Sequence, residues 1–187
     1  MPDRFIDNFT PGDGTDGLTW AKAELTAAAV DAADVAGDPW LFDFRHAEST
    51  AAALTIAVAG TSAAPSRLLS VTQSGAAGYT GPTAGASIVT GAGAYALMFT
   101  GSFYAYGITA RQGVGGSSGV VLTLAGADGN VQTWDTCKFE PGTTSASGHI
   151  ALGNASGSGS INVSLTWLEC MVKFANSSQK IQLGGAN

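Results

Sequence analysis

Phe103-Tyr-Ala-Tyr-Gly-Ile-Thr-Ala110 has two echoes further along the chain, Thr133-Trp-Asp-Thr-Cys-Lys-Phe139 and Thr166-Trp-Leu-Glu-Cys-Met-Val-Lys-Phe174. In each, an aromatic residue (Tyr104, Trp134, Trp167) stands three positions before a small one (Gly107, Cys137, Cys170). The small residues are 30 and then 33 positions apart. A second echo, Leu122-Thr-Leu124, Ile150-Ala-Leu152 and Ile181-Gln-Leu183, runs between the copies, each followed by glycine. Short alternating segments recurring at a period near ~30 between Gly- and Ser-rich turns are the pattern of a stacked repeat. The fold expected is all-β: a right-handed parallel β-helix of about four coils, one coil per repeat, with one capping α-helix near its N-terminus.

Outward from these repeats, two regions are expected. Residues 1–39 hold a short strand at Arg4-Phe-Ile-Asp7, a turn and the capping helix, and residues 40–187 hold the coils as one continuous domain. The helix is expected over Trp20–Ala33, with Thr19 as its N-cap and Leu25, Ala28, Ala29 and Ala32 on its apolar face. It would cover the open strand edges of the first coil. Trp40–Phe44, Leu54–Val58 and Arg67–Val71 are expected to be the strands of the first coil, and Ser74–Gly85 a loop. The second coil takes Ser87–Val89, Tyr95–Phe99 and Phe103–Ala110, and the third takes Val120–Leu124 and Val131–Phe139. The fourth takes His149–Leu152 and Ile161–Phe174, and Lys180–Leu183 opens a fifth. Corners fall at Gln112–Ser118 and Asn154–Ser160. No cap follows the last strand, so an edge there would need cover from a partner or from further chain.

Apolar residues make up 45% of the chain, but charged residues only 12%, about half the ~25% usual in globular domains. Either a Gly/Ala/Ser/Thr-rich β fold needs few charges, or much of the surface is covered by other subunits. The net charge of −6 and the scattered basic residues offer no patch for phosphate, so no nucleic-acid partner is expected. No stretch has the apolar length of a membrane span and no leader follows Met1, so no membrane partner is expected.

Candidate sites are sparse. Asp13 and Asp16 sit among glycines without the ligand spacing of a calcium loop, which favours a turn. Cys137 and Cys170 fall at matching places in successive repeats, about 4.8 Å apart if stacked. Parallel in-register strands seldom give good disulfide geometry, so a ladder of two buried thiols is favoured, and two ligands do not make a metal site. Asp135 lies one residue after Trp134 and Glu169 two after Trp167, which would turn them to opposite faces and argues against a paired-carboxylate glycosidase. His46 reads as a corner residue and His149 has no marked nucleophile beside it. Tyr104, Tyr106, Trp134 and Trp167 would be a core or interface ladder if they face in, and a sugar-stacking ladder if they face out. No catalytic, cofactor-binding or metal-binding residue is assigned, and no cofactor is expected.

Asp16-Gly-Leu-Thr-Trp-Ala-Lys-Ala23, the Ala-rich segment, Gly37-Asp38, and then His46-Ala-Glu48 and Leu54-Thr-Ile56 resemble the opening of pectate-lyase-like right-handed β-helix proteins. Gly37-Asp-Pro-Trp40 departs from the Gly-Asp-Thr-Val step of that pattern. The run Ala53–Val71 is similar to uncharacterised virion structural proteins of tailed bacteriophages. The resemblance covers residues 10–71; beyond it only the repeat and its Gly-rich corners agree. Lyases of this superfamily hold calcium on clustered carboxylates and use an Arg or Lys as base; this chain has no such cluster. The same fold carries inert proteins as well as enzymes. The resemblance therefore implies a non-enzymatic virion protein, made in the host cytoplasm. Its expected role is capsid decoration (cement), as a homotrimer on the major capsid protein or other virion proteins. A tail-associated receptor- or polysaccharide-binding module stands second, and a polysaccharide lyase or hydrolase third.

Overall fold

The computed structural model describes residues 2–9, 13–31, 34–90, 95–112, 121–142, 149–153 and 162–183. The protein is mostly β, built from three open sheets whose strands pair in parallel except for one hairpin. The first sheet runs in the order β1 (Arg4–Ile6), β2 (Pro39–Asp43), β5 (Ser66–Ser74), β9 (Phe103–Tyr106), β12 (Val131–Asp135), β15 (Ser164–Leu168). The second holds β3 (Ala47–Thr50), β7 (Ser87–Thr90), β10 (Thr109–Arg111), β13 (Lys138–Glu140) and β16 (Met171–Val172). The third holds β4 (Leu54–Ala57), β8 (Leu97–Thr100), β11 (Val121–Leu124), β14 (His149–Leu152) and β17 (Lys180–Leu183). With β6 (Gly78–Pro82) set aside, the chain from β2 onward visits the first, second and third sheets in rotation.

The alternation of apolar residues decides which side chains enter the core. In the first sheet Trp40, Leu68, Ala105, Trp134 and Trp167 stand in one register row. Ile88, Ala110, Phe139 and Val172 make the row of the second sheet, and Leu97, Leu122, Ile150 and Ile181 that of the third. One apolar cluster draws on all three sheets, with Trp40, Phe42, Phe99, Trp134 and Phe139 fully buried. Trp134 is its centre: Phe99, Phe103 and Phe139 meet its ring edge-on at 5.0–5.1 Å between centroids.

Gln132 and Asn130 are among the polar side chains buried in this apolar frame. Gln132 Oε1 accepts the Ala125 N–H at 3.0 Å and the Trp134 indole N–H at 3.2 Å, while its Nε2 donates to Phe99 O and Gly101 O. Asn130 Oδ1 accepts from Gly101 N and Ala127 N. They hold the corner between the third and first sheets, where the backbone cannot satisfy itself.

The repeat is present with its register moved by one in the first copy. Trp134 pairs with Trp167 as expected, but opposite Ala105 rather than Tyr104. Each expected long strand is also two strands. Phe103–Ala110 bends at Gly107, whose φ of +69° is the left-handed conformation glycine accepts most easily. The next coils bend at the equivalent positions, Thr136 and Glu169, with φ of +52° and +51°.

The N-terminal region departs from expectation. Trp20–Lys22 is a single 3-10 turn, Thr19 makes no side-chain cap, and α1 spans only Ala27–Asp31. Tertiary hydrogen bonds override the helix preference of the alanines. Trp20 donates its backbone N–H to Ala76 O and its indole N–H to Gly78 O. Glu24 pairs as an extended residue with β1, its N–H on Phe5 O and its carbonyl on the Asp7 N–H. The buried face is Ala23, Ala27 and Val30, and Leu25, Ala28 and Ala29 are exposed. Ala32 and the corners at 113–118 and 154–160 lie outside the described residues. Arg4–Ile6 forms the expected first strand, β1. Ala47–Thr50, just after the expected corner residue His46, is strand β3. The expected Ser74–Gly85 loop is a hairpin in which β6 folds back antiparallel on β5.

The N-terminal segment covers the outer side of the first sheet. Phe5, Trp20, Ala23, Leu41, Leu69 and Val71 form a second buried cluster there, with Tyr104 and Tyr106 packed at its rim. Short α1 packs against β4 and β1 and is held by a side chain from the second sheet: Glu48 Oε2 accepts the Ala27 N–H at 2.8 Å. Glu48→Ala is expected to destabilise the protein by about 2 kcal/mol, because it strands a buried donor. Urea denaturation measures it, and a loss under about 0.5 kcal/mol would show that the bond does not hold α1.

Candidate functional site

The bend between the first and second sheets is where chemistry-bearing side chains gather. It begins with β9 and β12, which set Tyr104 opposite Thr133 and Tyr106 opposite Asp135 on the outer face. It continues at the left-handed corner residues Thr136 and Glu169. Tyr106, Asp135, Thr136, Trp167, Leu168 and Glu169 line an open cleft of about 630 Å³. A neighbouring cleft of about 340 Å³ shares Thr136 and Glu169 and adds Gly107, Thr109, Cys137, Lys138 and Met171 among its walls.

Asp135 is the hub. Its Oδ2 accepts the Tyr104 hydroxyl at 2.7 Å, and its Oδ1 accepts the Thr136 hydroxyl at 3.0 Å. Burial first, and then this bond to the carboxylate, push the Tyr104 phenol up to about 12. A phenol whose pKa rises on folding lends stability that is whole below the ordinary tyrosine value near ~10 and is lost as pH climbs through the folded value. Asp135→Asn is therefore expected to bring the Tyr104 titration part of the way down, since burial remains. Ultraviolet absorbance of tyrosinate reads it, and an unchanged late-titrating component would remove Asp135 from the account.

Asp135 and Glu169 border the same cleft, contrary to the expectation that they face opposite sides. Asp135 pairs with Leu168 on the strands, whereas Glu169 lies just past the end of β15. Period-two alternation stops where the backbone turns left-handed. Both Asp135 oxygens accept hydroxyl protons, so the arrangement resembles a structural tie more than an acid–base pair.

The aromatic residues divide by face. Trp134 is wholly buried, and Trp167 packs partly buried on the core, stacked on Phe139 at 4.9 Å. Tyr104 and Tyr106 lie outside, so the four do not form one ladder. His46 sits at the bend between β2 and β3, buried edge-on against Phe42, with Nε2 3.5 Å from Glu48 Oε2. His149 starts β14 far from it in sequence. Asp13 and Asp16 accept N–H groups two residues on, from Thr15 and Leu18, and Asp16 also pairs with Lys22 at 2.9 Å, as turn residues do. Among the described residues no three His, Cys, Asp or Glu side chains gather as metal ligands, and no helix is long and apolar enough to cross a membrane. Gln132 escaped the sequence reading, and Glu48 entered it only within His46-Ala-Glu48, without its tie to α1. The only signal for either was a polar residue at an inward-facing position.

No protein-family model, no curated protein and no solved structure matches the chain.

Proposed function

We propose that the chain is a structural virion protein of a tailed bacteriophage, folded as a right-handed parallel β-helix of about four coils. Its role in this reading is capsid decoration (cement), as a homotrimer seated on the major capsid protein, without enzymatic activity. The rotation of successive strands through three parallel sheets supports the helical winding, and right-handed connection is the rule for parallel crossovers.

The observation that carries the role is the third sheet. Lys180 is the one Lys, Arg, Asp or Glu in its five strands. Thr55, Met98 and Thr123 stand in one register row of that sheet and alternate with buried Ile56, Leu97, Phe99, Leu122 and Leu124. A nearly uncharged face suits passive packing against other subunits, where charged residues are depleted at the contact core. Purified protein added to phage heads lacking it should sediment with them and raise the temperature at which they rupture. Failure to bind heads that bind an authentic cement protein would remove this role.

The corner cleft favours a second reading. Tyr106 beside hydroxyl and carboxylate groups is the kind of lining that binds sugars. Retention of the protein on a column of host surface polysaccharide, without release of shortened glycans, would favour a tail-associated binding module.

A further inference from the structure

The two cysteines lie at equivalent steps of successive coils, each in the bend between a strand of the first sheet and one of the second. Asp135 pairs with Leu168 and Lys138 with Met171, and Cys137 and Cys170 lie at the same step between those pairs. The backbone is hydrogen-bonded on both sides, Thr136 N to Leu168 O and Met171 N to Cys137 O, each at 2.9 Å. Neighbouring strands are about 4.8 Å apart, within the ~4.4–6.8 Å that a disulfide spans between Cα atoms. The Cys170 thiol already leans toward the coil of its neighbour, with Sγ 3.2 Å from Trp134 O. The Cys137 thiol donates to Asp135 O of its own coil at 3.2 Å and lies 3.7 Å from Ala105 O of the coil before. Closing a bridge requires the Cys137 side chain to change rotamer toward Cys170. Both are free thiols, Cys137 is on the wall of the smaller corner cleft, and Cys170 is half-buried.

We propose that Cys137 and Cys170 are a redox-closable pair that staples successive coils when the protein meets a small-molecule disulfide such as oxidised glutathione. The more exposed Cys170 attacks the reagent as its thiolate, forming a mixed disulfide and releasing one reduced thiol. Cys137 then displaces the second. Two S–H bonds are lost, one S–S bond forms, and two electrons and two protons pass to the reagent, which leaves as two thiols. Burial raises both cysteine pKa values, that of Cys137 to about 12, so closure is slow at neutral pH and quickens in mild alkali. A bridge at this spacing, on the wall of a cleft, is open to attack by reducing thiols. It stays open in a reducing cytoplasm and closes outside it. This inference stands independently of the virion reading.

The full folded chain is equilibrated across a series of reduced-to-oxidised glutathione ratios. Oxidised protein is expected to lose two hydrogens in intact mass and both thiols reactive to Ellman's reagent in denaturant. Its melting temperature is expected to rise by several degrees, and dithiothreitol should reverse all three changes. Cys170→Ser should show none of the rise under the same oxidant. Two thiols persisting at every ratio, a glutathione adduct without the internal bridge, or a bridge between two chains would each overturn the proposal.

Discussion

Trp134→Ala is expected to cost about 4 kcal/mol of stability, within the ~3–5 kcal/mol typical of deleting a buried Trp or Phe side chain. Its indole is fully buried and is the one ring that touches Phe99, Phe103 and Phe139 together. Those three come from the third, first and second sheets, so the cavity would open where all three meet. The loss also frees the Gln132 side-chain oxygen from one of its two donors. Flanking strands on both sides limit how far the walls can close. Guanidinium denaturation measures the change, and a fall in melting temperature of about 10 °C should accompany it. A loss below about 1.5 kcal/mol would mean the three faces do not share one close-packed core.

Gly101→Ala should be as damaging for a different reason. Gly101 follows β8 with φ of +89°, and a Cβ placed there would lie 1.9 Å from Val58 O and 2.9 Å from its carbonyl carbon. The obstacle is backbone of the previous coil, which cannot swing aside like a side chain. The Gly101 N–H is also spent on Asn130 Oδ1 at 3.0 Å. Left-handed strain and overlap together are expected to cost about 3–5 kcal/mol. Gly75→Ala is the control: its φ is +71°, with nothing within 4 Å of the added carbon, so only about 1 kcal/mol should be lost. Thermal melts of the two variants compare them directly. Equal losses would show that coil-to-coil backbone contact at Gly101 is not what matters.

Some of this architecture is legible in the sequence and some is not, for physical reasons that particular residues show. Trp134 and Trp167, and Cys137 and Cys170, announce their stacking because equivalent positions in successive coils meet equivalent surroundings. Tyr104 misled by one position: an aromatic at the rim of the outer cluster looks in sequence like one aimed at the core. The bends at Gly107, Thr136 and Glu169 all fall inside stretches that read as single strands, and nothing in Thr or Glu signals a left-handed backbone. The Ala-rich segment carries strong helix preference, yet the outcome is set by partners remote in sequence, Ala76, Gly78 and Phe5. Local preference cannot register such partners. The corner cleft was hidden for the same reason, because Asp135 and Glu169 share it only through the bend.

The central claim concerns where the protein works, and a count of copies per particle tests it most directly. Quantitative mass spectrometry of purified virions, with the major capsid protein as internal standard, is expected to find this chain in hundreds of copies, in simple proportion to the capsid lattice. A few copies to a few dozen would move it to the tail and favour the polysaccharide-binding reading. Absence from the particle would contradict a virion role altogether.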